Sequence, residues 1–215
     1  TRCAYCSFSS GEIGDGRLVE PYLNALFHEI EICAQMVREF GLDIRVGYIG
    51  GGTPSSLSTQ QLERLLNHIE KHFGKLDEFT VEAGRPDTLD EEKLRMIYSH
   101  PVTRISINPQ TMNDDTLARI GRAHTAQQTE QAFELARKIG FKDINMDVIA
   151  ALPGEDYEKF AYTLQRIREM KPESLTVHTL AIKRSSKLHE VKYAQNEQDV
   201  AQMVELGRQT AHEMG

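Results

Sequence analysis

The sequence is short of cysteine, of net positive charge and of long apolar runs. Three cysteines in 215 residues do not make a disulfide framework of the kind that small secreted domains build. A net charge of -7 argues against a surface that attracts nucleic acid or anionic lipid. No apolar run approaches the roughly 18 residues that a membrane-spanning helix needs. We therefore expect neither nucleic acid nor a membrane as a partner.

The beginning of the chain also lacks the basic and apolar stretches of a secretory signal peptide. We therefore expect a cytoplasmic protein, in a compartment where thiols stay reduced. The composition, 40% hydrophobic and 27% charged, is typical of a globular domain with a sizeable core. Because the sequence opens without methionine and stops directly after a helical pattern, we interpret residues 1–215 as one domain of a longer protein.

Helical and strand-like patterns alternate along the chain. The predicted helices cover residues 18–40, 58–72, 91–98, 125–139, 157–170 and 197–213, and the predicted strands cover residues 44–49, 78–83, 104–108, 143–149 and 174–180. Short connections in this order favour a parallel sheet with helices packed outside it. A doubly wound sheet and a TIM-type barrel both satisfy this pattern, since both use right-handed crossovers.

The three cysteines fall into two different settings. Cys33 lies within the first helical pattern, and we predict it to be a small buried hydrophobe. Cys3 and Cys6 form a Cys-x-x-Cys pair close to the first residue. In a reducing compartment such a pair is typical of a metal site or a redox-active dithiol, and the spacing alone fits a zinc half-site or a thioredoxin-type motif equally well.

Polar residues recur where the predicted strands end, which is where parallel βα folds place their binding sites. They are Gly50, Gly51, Gly52 and Thr53, then Glu82, Asn108, Gln110, Asp147 and His178. Taken singly, the glycines fit a tight turn, Glu82 fits a loop cap, and His178 fits a satisfied core histidine. Asp147 fits a purely structural role poorly, because a carboxylate inside an apolar run is costly to bury. Together they predict a ligand site.

The Cys3/Cys6 pair and the polar residues at the strand ends together resemble the motifs of the radical S-adenosylmethionine superfamily, in the branch around oxygen-independent coproporphyrinogen III oxidase. In that family a Cys-x3-Cys-x2-Cys loop holds a [4Fe-4S] cluster, and Cys3-Ala4-Tyr5-Cys6 matches its second and third cysteines. Three thiolates leave one iron open, and in the family this iron chelates S-adenosylmethionine. The resemblance implies a partial TIM-type (β/α)6 barrel whose first strand, with the first cysteine, precedes Thr1.

The family's glycine-rich motif matches YIGGGTPSSL at residues 48–57. By resemblance its backbone approaches the methionyl amine of the cofactor, which glycine permits because it has no Cβ. The resemblance also implies that Arg122 faces the cofactor carboxylate and Asp147 its ribose hydroxyls, in keeping with the chemistry of a guanidinium and a carboxylate. The cofactor contacts that it implies are Gly50, Gly51, Gly52, Thr53, Glu82, Gln110, Arg122 and Asp147.

Two stretches depart from the best-studied oxidases of the family. Phe8 stands where those oxidases have a further cysteine, and residues 82–86 read EAGRP in place of Glu-x-Asn-Pro. Together with residues 177–188 they resemble the HemZ-type coproporphyrinogen dehydrogenase branch. Phe8 also occurs in relatives that are haem chaperones, so two functions follow from the resemblance.

The first function is oxidative decarboxylation of coproporphyrinogen propionates to vinyl groups in haem biosynthesis, through a 5'-deoxyadenosyl radical. An external donor such as a flavodoxin or ferredoxin would supply the electron. Arg85, Lys183 and Arg184 follow strand ends and are candidates to grip the substrate propionates, although solvated loop charges explain them as well. The second function is a haem-binding chaperone. A plain α/β enzyme with an incidental Cys-x-x-Cys is the third alternative.

Overall fold

A computed structural model describes residues 3–7, 14–191, 193 and 197–215. Its five strands form one sheet in which every neighbouring pair is parallel. In chain order the strands are β1 (Val46–Ile49), β2 (Glu78–Glu82), β3 (Arg104–Ser106), β4 (Ile144–Ala150) and β5 (Ser174–Thr179). They also lie side by side in that order, so the winding never reverses direction as it does in a doubly wound sheet. The prediction of a partial TIM-type barrel is confirmed.

Helices connect successive strands and flank the sheet. They are α1 (Val19–Glu39), α2 (Thr59–Phe73), α3 (Glu91–Ser99), α4 (Asp114–Arg119), α5 (Ala126–Ile139), α6 (Tyr157–Met170), α7 (Lys187–Glu190) and α8 (Glu197–Met214). Within the described parts of the chain, none of these helices is both long and apolar enough to span a bilayer. The capping boxes that predict the starts of α2 and α5 are both formed, by Ser58 with Gln61 and by Thr125 with Gln128.

Two apolar clusters hold the fold together. The larger one lies between the sheet and its helices, and Phe79, Ile105 and Phe160 are among its most deeply buried members. The smaller one contains Leu117, Ile120, Ile149, Leu152, Leu180 and Leu188, and Ala4 and Tyr5 pack against it. The short segment between the two cysteines is therefore anchored by apolar contacts to the barrel.

The structure corrects the prediction for Cys33, which is exposed. Its neighbour Ala34 is buried instead, and with Leu23 it is one of only two fully buried residues of α1. The apolar positions Leu23, Leu26 and Ile30 do mark the less exposed face of α1. Ala34 continues that face at helical spacing, whereas Cys33 lies one residue away from it. The short helices α4 and α7 are absent from the predicted elements, and Phe8 lies outside the described residues.

Candidate functional site

The cysteine segment, residues 3–7, is hydrogen-bonded to two distant parts of the chain. The Ala4 amide donates to the Ile120 carbonyl at 2.9 Å, and the Leu188 amide donates to the Ala4 carbonyl at 3.1 Å. The Ser185 hydroxyl donates to the Ser7 carbonyl at 2.8 Å. A turn closed by the Cys6 amide and the Cys3 carbonyl, at 3.2 Å, sets the spacing of the two thiols. Both cysteines are free and partly exposed.

Arg122 lies directly beside the cysteine segment. Its guanidinium donates to the Tyr5 hydroxyl at 2.8 Å and to the Gly84 carbonyl at 3.4 Å. Burial raises the pKa of Tyr5 well above its ordinary range despite the nearby cation, so the phenol stays protonated. Arg122 Nε is buried and has no hydrogen-bond partner among the described residues. The guanidinium therefore keeps donor capacity for a bound anion.

Glu82, at the carboxyl end of β2, collects polar contacts from both neighbouring strands. Its carboxylate accepts hydrogen bonds from the Tyr48 hydroxyl and from the Asn108 amide, each at 3.4 Å. Burial first, and then the neighbouring Asp147 carboxylate, raise the pKa of Glu82. Two carboxylates held close together in this way favour a cationic or hydrogen-bond-donating ligand between them.

The glycine-rich loop lies over this carboxylate. A Cβ placed on Gly50 would lie 2.3 Å from the Tyr48 ring and 3.0 Å from the Glu82 carboxylate. Gly51 has a φ of +111°, a conformation that residues with a side chain rarely adopt. A Cβ on Gly52, by contrast, would meet no atom within 4 Å. The sequence thus needs its first two glycines for the fold, whereas the third is free to serve a ligand.

Gln110 connects β3 to β4 after the regular part of β3 has ended. Its amide donates to the Asp147 carbonyl and its carbonyl accepts from the Ile149 amide, both at 3.0 Å. The residue is buried, with a φ of +67°. Backbone of this kind in a residue other than glycine concentrates at functional sites, and the role of Gln110 in cofactor binding stays a prediction.

Asp147 is held by side chains on its own and the neighbouring strand. Its carboxylate accepts a hydrogen bond from the Asn145 amide at 2.7 Å, and it lies 3.8 Å from His178 Nε2. Burial opposes ionisation of Asp147, but the interactions with His178 and Asn145 outweigh burial and lower its pKa. His178 is half-exposed, with 55% of its side chain accessible, so the prediction of a core histidine is wrong.

The ion pair between His178 and Asp147 leads to a testable prediction about the pKa of His178. The interaction with Asp147 raises the pKa of His178 above its ordinary 6.5. Its stabilisation is therefore complete below that ordinary value and is lost as the pH rises through the pKa of the folded state. Because Asp147 has a lowered pKa, its own contribution is lost only when the pH falls through that low value. We expect Asp147→Asn to lower the pKa of His178 in an NMR titration.

A matched control for this titration is His212, an exposed residue near the end of α8. The NMR signals of His212 should be the same in Asp147→Asn and in the wild type. Since the pair is partly solvated, its effect on the free energy of unfolding should stay below about 1 kcal/mol. An unchanged His178 pKa in the variant would contradict the pairing.

The residues predicted to grip substrate fall into two groups. Arg85 is engaged with the Asp87 carboxylate, at 2.6 Å, and only 13% of its side chain is exposed. Lys183 and Arg184 are exposed. They precede Ser185, whose hydroxyl is bonded to the cysteine segment. The backbone that carries these two cations is therefore held next to Ser7, at the end of the cysteine segment, whereas Arg85 is part of an internal ion pair.

Two contributors to the site were not among the predicted cofactor contacts. Tyr48 lies inside the glycine motif, but the sequence gives no sign that its hydroxyl reaches Glu82 on the next strand. Asn145 precedes Asp147 by two residues, which places both side chains on one face of β4. That spacing is the signal by which Asn145 could have been found.

The arrangement fits a [4Fe-4S] cluster with S-adenosylmethionine. Cys3 and Cys6 provide the thiol donors that iron requires, and Cys3 is close enough to Arg122 and Tyr5 to influence the pKa of both. The unpartnered Arg122 Nε suits a carboxylate. The open space above Gly52 suits close approach of a ligand to the backbone. Thiol ligands, a hydrogen-bond donor and open space for a ligand thus lie together at one edge of the sheet.

Comparison with known proteins identifies the family. Residues 1–167 match the Radical SAM superfamily. The chain is 40% identical over 213 residues to the oxygen-independent coproporphyrinogen-III oxidase-like protein HemZ of Bacillus subtilis, covering 95% of this chain and 42% of that protein. It is 37% identical to the heme chaperone HemW of the same organism, covering 84% of this chain and 47% of that protein.

Solved structures agree on the fold. Coproporphyrinogen III oxidase (HemN) from Escherichia coli superposes with a TM-score of 0.87 at 24% identity, covering all of this chain and 50% of that one. The chain therefore spans about half the length of these relatives. Since the family match covers residues 1–167 and a 40% identical relative covers 95% of the chain, the chain belongs to the radical S-adenosylmethionine superfamily.

Proposed function

We propose that residues 1–215 form the catalytic domain of a radical S-adenosylmethionine oxidoreductase that decarboxylates coproporphyrinogen III. The observation that carries this proposal is the convergence of the cysteine segment, Arg122 and Glu82 at one edge of the barrel. The similarity to the HemZ protein over 95% of the chain supports the choice of substrate. The proposal extends to the longer protein of which this chain would be one domain.

In this proposal, different side chains of the site hold different parts of the cofactors. Cys3 and Cys6 supply two of the thiolates for a [4Fe-4S] cluster. Arg122 binds the carboxylate of S-adenosylmethionine with its unpartnered Nε. Glu82 accepts hydrogen bonds from the amine, and Asp147 accepts them from the ribose hydroxyls. When bound, the cluster and S-adenosylmethionine supply a radical that removes a hydrogen atom from the substrate.

Backbone groups complete the proposed cofactor site. The loop Gly50–Thr53 lets the main chain approach the amine, because its glycines place no Cβ in the way. Gln110 is strained at the junction of β3 and β4, from where it borders the same site. Both features exclude water by bringing protein backbone against the ligand, which strengthens the electrostatic contacts made by Arg122 and Glu82.

The glycine loop provides a matched pair of variants. Gly50→Ala should displace the exposed Tyr48 ring and break its hydrogen bond to Glu82, because its Cβ would lie 2.3 Å from that ring. We expect a loss of about 1 kcal/mol in the free energy of unfolding. Gly52→Ala meets no protein atom and should leave stability nearly unchanged. If the loop contacts the cofactor, Gly52→Ala should weaken S-adenosylmethionine binding about tenfold in calorimetry. Wild-type affinity in Gly52→Ala would contradict that contact.

The proposed substrate is a polyanion, and exposed cations lie near the cysteine segment. Lys183 and Arg184 would contact propionate carboxylates. For Arg85 the same role requires its guanidinium to leave Asp87. Each turnover removes one hydrogen atom and releases carbon dioxide and one electron, so that a propionate becomes a vinyl group. An external donor such as a flavodoxin or ferredoxin reduces the cluster, and an external acceptor takes the released electron.

Haem delivery is the second candidate function, and the similarity to HemW favours it. That relative is 37% identical over 183 residues and is named a heme chaperone. A chaperone would keep the same cluster and cofactor site and bind haem without decarboxylating a porphyrinogen. His178 is half-exposed beside Asp147 and would be one available ligand for haem iron, although its presence does not distinguish the two functions.

One experiment separates the two functions. The full-length protein is reconstituted anaerobically with iron and sulfide, reduced, and mixed with S-adenosylmethionine and coproporphyrinogen III. The oxidoreductase should form 5'-deoxyadenosine, carbon dioxide and vinyl-bearing product, and a parallel haem titration should show no saturable binding. Failure to form 5'-deoxyadenosine or vinyl product in protein that holds its cluster would overturn the proposal. Stoichiometric haem binding in the same preparation would then favour the chaperone.

A further inference from the structure

A second group of metal-ligating side chains lies on the outer helices, away from the cysteine segment. His68 and His72 are four residues apart on α2, which places both rings on one face of the helix. Glu31 reaches them from α1, which packs against α2. One ligand atom from each of the three residues lies within 4.8 Å of the other two. The group thus draws its members from two separate helices.

The contacts within this group leave one enclosed nitrogen without a protein partner in the described part of the chain. His68 Nε2 lies 3.5 Å from a Glu31 carboxylate oxygen and 3.2 Å from the Phe27 carbonyl. His72 Nε2 is enclosed, and it has no hydrogen-bond partner among the described residues. An enclosed imidazole nitrogen without a partner is costly. A metal ion bound at that nitrogen would remove the cost.

From this geometry we propose that Glu31, His68 and His72 form a binding site for Zn²⁺ or a similar divalent transition metal. Two imidazoles and one carboxylate are the donor set that zinc accepts, with the fourth position left to water or another ligand. The ligand atoms of tetrahedral zinc lie roughly 3.3 Å apart at metal–ligand distances of about 2.0–2.1 Å. Small rotations of exposed or half-exposed side chains cover the difference from 4.8 Å.

The donor set also determines which metals should not bind at this site. Mg²⁺ and Ca²⁺ prefer oxygen ligands, whereas two imidazole nitrogens favour zinc and its neighbours in the first transition row. His28 Nδ1 lies 3.9 Å from Glu31 and is placed to supply a further nitrogen. Arg38 and Lys71 lie near enough to His72 to oppose a cation, so we expect moderate affinity.

The location of the site indicates its role. α2 runs from the glycine loop to the amino end of β2, and His72 is one residue from its last residue, Phe73. The metal would therefore lie at the opposite end of the sheet from Glu82 and Asp147. It would join α2 to α1, a helix with only two fully buried residues. This metal would stabilise the attachment of α1 and take no part in chemistry at the cysteines.

Cobalt and zinc titrations test the site directly. Because the thiols would compete for metal, the full-length protein is used with all of its cysteines replaced by serine, Cys3, Cys6 and Cys33 included. We expect one equivalent of Co²⁺ to bind with the visible absorption of tetrahedral nitrogen and oxygen coordination, and excess Mg²⁺ should not displace it. His68→Gln, His72→Gln and Glu31→Gln should each weaken binding more than tenfold. His212→Gln, on α8, is the control that should bind like the parent.

A second measurement uses native protein whose cysteines are occupied by the reconstituted cluster. Zinc should raise its thermal unfolding midpoint by at least about 3 °C, and this rise should disappear in His68→Gln. The proposal is overturned if no single saturable site is found, or if the double variant His68→Gln/His72→Gln retains parental affinity. Neither result depends on porphyrinogen turnover, so this site and the proposed function can fail separately.

Discussion

Iron content should fall to near zero when either Cys3 or Cys6 is replaced by serine and the full-length protein is reconstituted anaerobically. A cluster held by three thiolates has no spare protein ligand, so loss of one removes both the bound cluster and the site for S-adenosylmethionine. Iron and sulfide analysis, with electron paramagnetic resonance of the reduced protein, measures the loss. Production of 5'-deoxyadenosine should fall to background in the same samples.

Cys33→Ser is the matched control within the chain. Cys33 is exposed on α1 and is separated from the cysteine segment, so its variant should keep wild-type iron content and turnover. Serine is close to cysteine in size and both cluster cysteines are only partly buried, so neither variant should unfold. Full iron content in Cys3→Ser or Cys6→Ser would remove the basis of the proposed function.

Arg122→Gln should weaken S-adenosylmethionine binding by about 10- to 100-fold while the cluster stays in place. A charge-assisted hydrogen bond contributes about 1.5–3 kcal/mol, and the Arg122 guanidinium has an unpartnered Nε to offer. Isothermal titration of the reconstituted protein with S-adenosylmethionine gives the affinity. Iron analysis of the same sample distinguishes lost cofactor contact from lost cluster.

Two further variants sharpen this experiment. Arg95→Gln changes an exposed arginine on α3 that is paired with Glu91, and it should bind S-adenosylmethionine like wild type. Tyr5→Phe removes the hydroxyl that accepts from Arg122 at 2.8 Å and should produce a smaller loss, because the guanidinium itself remains. Wild-type affinity in Arg122→Gln would exclude this residue as a cofactor contact.

Local signals in the sequence were sufficient for most of the secondary structure. The starts of α2 and α5 follow from side chains that satisfy free amides at a helix end, as Ser58 and Thr125 do. The short helices α4 and α7 span only six and four residues. Helices this short contain too few turns to show a periodic apolar pattern, so the sequence does not predict them.

Long-range contacts account for what the sequence could not reveal. The choice of a barrel came from the family resemblance, because strand order depends on crossovers that periodicity does not record. The positions of Glu82 and Asp147 at strand ends were predictable, but their partners Tyr48 and His178 lie on neighbouring strands. The burial of Cys33 is predicted from its residue type, but Cys33 lies one residue away from the apolar face of α1, on which Ala34 is buried.

The cysteine segment is clasped from both sides, by the Ile120 carbonyl and by the Leu188 amide. The middle and last thirds of the polypeptide therefore both hold the segment that carries the thiols. A proteolytic nick between residues 181 and 187 would leave the five strands intact yet weaken the contacts that Ser185 and Leu188 make with the cysteine segment. If the proposed cluster binds there, we expect its retention to depend on these contacts as well as on the thiols.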